Sequence, residues 1–123
     1  MNYQVKELPK AKYVELLSAS PPLSTESEAL DLIALCGEQE TSLLMIRYAA
    51  LSPDFFNLKT RIAGDIVQKL VNYGIKTVVL VPQAIMEKGR FREMALETNK
   101  GRHFRMYEDQ EEAEGWLLSS ANR

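Results

Sequence analysis

Apolar side chains recur along this chain in two rhythms, one of period two and one of period near 3.6. Tyr3 to Leu8 and Lys12 to Leu17 are short runs rich in Val, Tyr and Leu, with Pro9 and Lys10 between them. The pair predicts an N-terminal β-hairpin. Ser18 to Leu23 carries Pro21 and Pro22 and predicts a connector that is not helical throughout. Then the rhythm changes. Ala29, Leu32, Ile33 and Cys36 fall at i, i+3, i+4 and i+7, one stripe of a helix. Thr25 and Glu28 have capping-box spacing at its start, and Gly37 stands where a left-handed cap would end it.

Ser42 to Tyr48 is a compact apolar run, read as a strand. Ser52 followed by Pro53 is a helix-start pair, so a short turn is predicted over Pro53 to Asn57. A longer helix follows from about Thr60 to Tyr73, with Ile62, Ile66, Leu70 and Tyr73 as its stripe and Gly74 as its end. Ile75 to Val81 is β-branched and nearly continuous in apolar character, which predicts a central strand buried on both faces. Gln83 to Gly89 is compatible with a loop or a first helical turn. Arg90 to Asn99 reads as a helix capped at Gly101, and His103 to Tyr107 as a last short strand. Asp109 and Glu112 have capping-box spacing ahead of Ala113, Trp116 and Leu117, the stripe of a final helix, and the tail Ser119 to Arg123 is expected to fray.

The order is therefore ββαβαβαβα. Alternating strands and helices require crossovers, and crossovers imply parallel neighbours. The expected fold is a single α/β domain with a mixed, mostly parallel five-stranded sheet and four main helices. A length of 123 residues fits one such domain and one core.

Composition narrows the function more than the fold. The net charge of −2 sets up no field that would attract nucleic acid or an anionic membrane. No apolar run approaches the ~20 residues of a membrane-spanning helix, and the first ten residues lack the apolar core of a signal peptide. A single cysteine, Cys36, allows no intramolecular disulfide and agrees with a reducing cytoplasm. One histidine and one cysteine make no recognisable structural zinc site, so no metal and no cofactor are expected. Neither a Gly-rich phosphate loop nor a nucleophile elbow is present, and no catalytic residue is assigned.

FFNLKTRIAGDIVQKLVNYGIK (55–76), with ALDLI (29–33) before it and ETNKG (97–101) after it, resembles domain of unknown function 4180, a family of small bacterial proteins without an established activity. The resemblance runs from about Leu23 to Leu117. The element order is also similar to the STAS-like fold of anti-sigma-factor antagonists, which implies a non-catalytic regulatory or protein-interaction module, as a homodimer or with a protein partner. In those antagonists a phosphorylatable serine opens the helix after the third strand in an Asp-Ser-Ser-Gly motif. The comparable residues here are Leu58-Lys59-Thr60-Arg61, and that motif is missing.

Candidate binding residues cluster in the same region. Thr60 at a helix start, between Lys59 and Arg61 and near Asn57, could hold a small anionic ligand with the free N–H groups of the first turn. The other reading, and the usual role of Thr at such a place, is an N-cap beside two solvated cations. Gly64 costs about 1 kcal/mol relative to Ala inside a helix, which close packing or a ligand's approach would offset. Phe55 and Phe56 are adjacent, so on a helical turn one would face outward as an interface patch, whereas an irregular loop could bury both. Cys36 is expected to be a buried small hydrophobe, and His103 a residue at a strand end.

Overall fold

In the computed structural model, which describes residues 1–119, the hairpin forms from β1 (Asn2–Glu7) and β2 (Lys12–Ser18), antiparallel with Val5 opposite Val14. Its turn closes through Leu8 N–H donating to Ala11 O at 2.9 Å. Three parallel strands follow: β3 (Leu43–Arg47), β4 (Lys76–Leu80) and β5 (Phe104–Tyr107). The order across the sheet is β1-β2-β3-β4-β5, the order of the chain. As expected, β4 is internal. Among the described residues there are five α-helices: α1 (Glu26–Glu38), α2 (Ile62–Asn72), the single turn α3 (Gln83–Met86), α4 (Gly89–Thr98) and α5 (Gln110–Ser119). The four expected helices are there, and α3 fills the segment that was open between loop and turn. The end of the expected fraying tail, residues 120–123, lies outside the described residues.

That strand order dictates the layering. Each crossover steps to the next strand in the same direction, and crossovers are right-handed, so their helices fall on one face. Val14, Leu16, Leu44, Ile46, Val79 and Met106 face this side and pack with α1, α2 and α4 in the larger core. The opposite face needs a separate element, and α5 is it. Tyr13, Leu43, Met45 and Val78 meet Ala113 and Leu117 there in a smaller cluster.

The helix ends show where local signals held. Thr25 and Glu28 complete a reciprocal capping box, with Glu28 N–H on Thr25 Oγ1 at 3.2 Å and Thr25 N–H on Glu28 Oε1 at 3.1 Å. Gly74, at φ 72°, closes α2 with Gly74 N–H on Val71 O at 2.9 Å and Ile75 N–H on Leu70 O at 2.9 Å, a Schellman closure. Gly37 does not end α1. The same closure occurs later, with Glu40 in the left-handed position at φ 56° and Thr41 N–H on Cys36 O at 3.0 Å. Gly101 is not the cap of α4 either. That helix ends at Asn99, whose amide donates to Met106 O at 2.8 Å and accepts from Met106 N–H at 2.8 Å.

Candidate functional site

Between β3 and α2 the backbone makes three short 3-10 turns instead of one turn and an immediate helix. Ser52 Oγ accepts from Asp54 N–H at 3.2 Å and starts the turn Pro53–Phe56. This irregular path turns both Phe55 and Phe56 inward, each only 2 % exposed. Phe56 stacks on Tyr48 with centroids 5.5 Å apart and meets Phe91 of α4 at 5.1 Å. Of the two alternatives for these rings, the structure has burial of both, so neither presents a surface patch.

Asn57 Oδ1 accepts from Lys59 N–H at 3.1 Å and shapes the next turn, Leu58–Thr60. The Thr60 hydroxyl lies 2.9 Å from Asp54 O and 2.8 Å from Asn57 O, and accepts from Ile62 N–H at 3.3 Å. Its donor and acceptor roles are both occupied by backbone. The N-cap position itself falls to Arg61, in the left-handed region at φ 60°, with no side-chain cap. Thr60 therefore pins the loop one residue ahead of the N-cap. Lys59 and Arg61 are exposed beside it.

Gly64 lies on the exposed side of α2, and a Cβ there would meet nothing within 4 Å. Close packing is thus not what the glycine serves. Instead it borders a groove of about 400 Å³ between α2, α4 and the start of β5, lined chiefly by Phe55, Ala63, Val67, Val71, Met94 and Phe104. The volume falls in the range of small-molecule sites. Arg102 and His103, both exposed, also line the groove.

The same two residues also line a second cavity, of about 600 Å³, beside the first residues of β3 and β4. This bay has a different chemistry. Its lining includes three cationic residues, Lys12, Lys76 and Arg102, and one carboxylate, Glu40, alongside Thr41 and Ser42. Thr41 Oγ1 donates to Lys12 O at 2.6 Å and accepts from Leu43 N–H at 3.2 Å, which holds the β2 and β3 ends together.

Two buried charges escaped the sequence reading. Lys76 is 8 % exposed. Its ammonium donates to the Trp116 and Leu117 carbonyls at 2.5 and 3.2 Å and sits 4.3 Å from the Trp116 ring centre. A cation at the carbonyl end of a helix is favoured by the helix dipole. Glu15 is fully buried on the α5 face. It accepts from Gln4 Nε2 at 2.8 Å and from Arg47 Nε at 2.7 Å, while Arg47 Nη2 reaches Gln110 Oε1 at 3.3 Å. Beside them the Tyr13 hydroxyl donates to Glu114 Oε2 at 2.7 Å, and burial, then Glu114, pushes its pKa well above the usual range. The available signal was a charged residue inside an otherwise apolar strand, YVELL and IKTVVLV.

Burial pushes the Cys36 thiol up to about 11, so at neutral pH it is a protonated, enclosed group. Among the described residues no three His, Cys, Asp or Glu side chains gather where they could hold a metal ion, and no helix is long and apolar enough to cross a membrane.

A five-stranded mixed sheet with crossover helices on one face and a single helix on the other defines a small α/β domain. The family model described as Domain of unknown function (DUF4180) matches residues 9–117, and the chain belongs to that family. No curated protein and no solved structure matches the chain.

Proposed function

We propose that this protein is a non-catalytic binding module of STAS-like fold, working in a bacterial cytoplasm, and that its site is the groove bordered by Gly64. The observation that carries the reading is the open, apolar space above Gly64 in a helix whose other face is core. A glycine there costs helix stability without serving a turn or a close packing contact, and a ligand's need for that space accounts for it. Of the site expected at Asn57 to Gly64 this reading keeps the Gly64 end, because the Thr60 hydroxyl is committed to the backbone. The STAS-like assignment is supported by the element order, ββαβαβαβα apart from the single turn α3, and by the sheet order. A protein-contact role as a homodimer keeps its own support in Tyr73 and Leu96, 59 % and 67 % exposed. Concentration-dependent mass by analytical ultracentrifugation checks it, and a monomer at all concentrations excludes it.

The groove is tested with a neutral solvatochromic dye such as Nile red. Wild type should show saturable fluorescence enhancement. Gly64→Leu, which fills the groove, should abolish it, whereas Gly64→Ala should fold with equal or greater stability. Equal dye binding by wild type and Gly64→Leu would place the apolar site elsewhere.

A further inference from the structure

The groove and the bay meet at one short segment. Gly101, Arg102 and His103 connect α4 to β5, and Arg102 and His103 line both cavities. One side of this wall is apolar, walled by Phe55, Val67, Met94 and Phe104. The other is cationic in its lining, with Lys12, Lys76 and Arg102 outnumbering the single carboxylate of Glu40. Lys76 is engaged with the end of α5 and adds field more than contact. Arg102 is different. It is exposed, and among the described residues its guanidinium makes no hydrogen bond or ion pair. A planar guanidinium beside an apolar channel matches a carboxylate through two parallel hydrogen bonds.

We propose that the two cavities hold one ligand, a small amphipathic carboxylate, with its apolar tail along α2 in the groove and its head at Arg102 at the mouth of the bay. The proposal rests on the groove reading above and adds the ligand's chemistry to it. Each half explains what the other leaves open. An apolar groove alone does not choose among ligands, since hydrophobic contact is non-directional. A cationic, solvent-open bay alone holds a small anion weakly, because water screens it. Joined, the tail supplies affinity and the head supplies orientation and selectivity.

Three probes of equal chain length separate these contributions: decanoate, 1-decanol and decylammonium, each titrated calorimetrically into the full chain. Decanoate should bind about tenfold more tightly than decanol, the worth of one charge-assisted pair, and decylammonium should bind more weakly than either. In Arg102→Gln the decanoate advantage should vanish while decanol affinity stays within twofold of wild type. Gly64→Leu should lose both. Decanoate and decanol binding equally to wild type would overturn the carboxylate proposal and leave the groove reading standing. The same holds if Arg102→Gln keeps the preference, or if decylammonium binds as well as decanoate. Decanoate binding unchanged in Gly64→Leu would show the tail to be outside the groove. Failure of all three probes to bind wild type would remove the groove reading and this proposal together. Arg102→Gln alters an exposed side chain without a protein partner, so a melting temperature near wild type is expected and is checked first.

Discussion

The two faces of the sheet are covered by unlike means. On one face three crossover helices bury a continuous layer that runs from Leu23 through Phe56 to Met106. On the other a single ten-residue helix covers a five-stranded sheet, with Ala113 and Leu117 as its buried apolar side chains. The second face makes up the difference with directed polar bonds. Gln110 and Arg47 link the first turn of α5 to Glu15, Tyr13 bonds Glu114, and Lys76 holds the last carbonyls. The lesson is one of topology. A sheet whose parallel strands all step in one direction receives its helices on one side, and the uncovered side must be closed with few residues. Hydrogen bonds then fix the position of a helix that packing alone would leave free to slide.

Core deletions should show the contrast most strongly. Leu70→Ala, on the three-helix face and 1 % exposed, should cost about 3–4 kcal/mol, and Leu117→Ala on the α5 face about 2 kcal/mol, because the smaller cluster has less around the cavity to lose. Urea midpoints shifted equally by the two would erase the distinction. Next in size is the buried pair. Arg47→Met should cost about 3 kcal/mol by stranding the Glu15 carboxylate, at the lower end of such effects since the Arg47 side chain is 38 % exposed. Adding Glu15→Leu to Arg47→Met should recover most of that loss. A double variant no more stable than the single one would show that the charges themselves, and not their burial, hold α5.

The smallest effect is alkaline. Cys36 titrates at about 11 in the fold against an ordinary 9, so its contribution is whole below pH 9 and is lost as pH rises toward 11. The loss is on the order of 2 kcal/mol. On the other face Tyr13, also raised, adds a loss that begins above pH 10. Stability measured against pH should fall less steeply between 9 and 11 in Cys36→Ala, and less steeply above 10 in Tyr13→Phe. Slopes identical to wild type in both variants would mean that neither group is shielded as described.

Most of the architecture was legible because it rests on local signals. The capping box at Thr25, the glycine at 74 and the β-branched run of β4 each act within a few residues. What was illegible depends on residues far apart in the chain. Nothing near Phe56 indicates that Tyr48 and Phe91 will receive it, with Phe55 against its edge, so both rings inside an irregular loop could not be told from one inside and one out. Gly37 and Gly101 looked like caps, but the bonds that end α1 and α4 come from Thr41 and from an edge strand. The site was half legible. Gly64 was singled out for its helix cost, yet the groove it borders is built with Phe104 and Arg102, some forty residues later. Glu15 and Lys76 were read as ordinary strand residues because their partners belong to other elements.

The Asn99 amide has a consequence for how copies of this molecule can add to one another. A sheet with two bare edges can accept a new strand on either side and so grow without limit. His103, just ahead of β5, and Tyr107 within it accept through their carbonyls from Thr77 and Val81 N–H, so Met106 turns its peptide groups outward. Asn99 occupies both of them, at 2.8 Å each. The side chain imitates the strand that would otherwise attach there. A strand of another copy approaching β5 at Met106 finds both peptide groups already engaged.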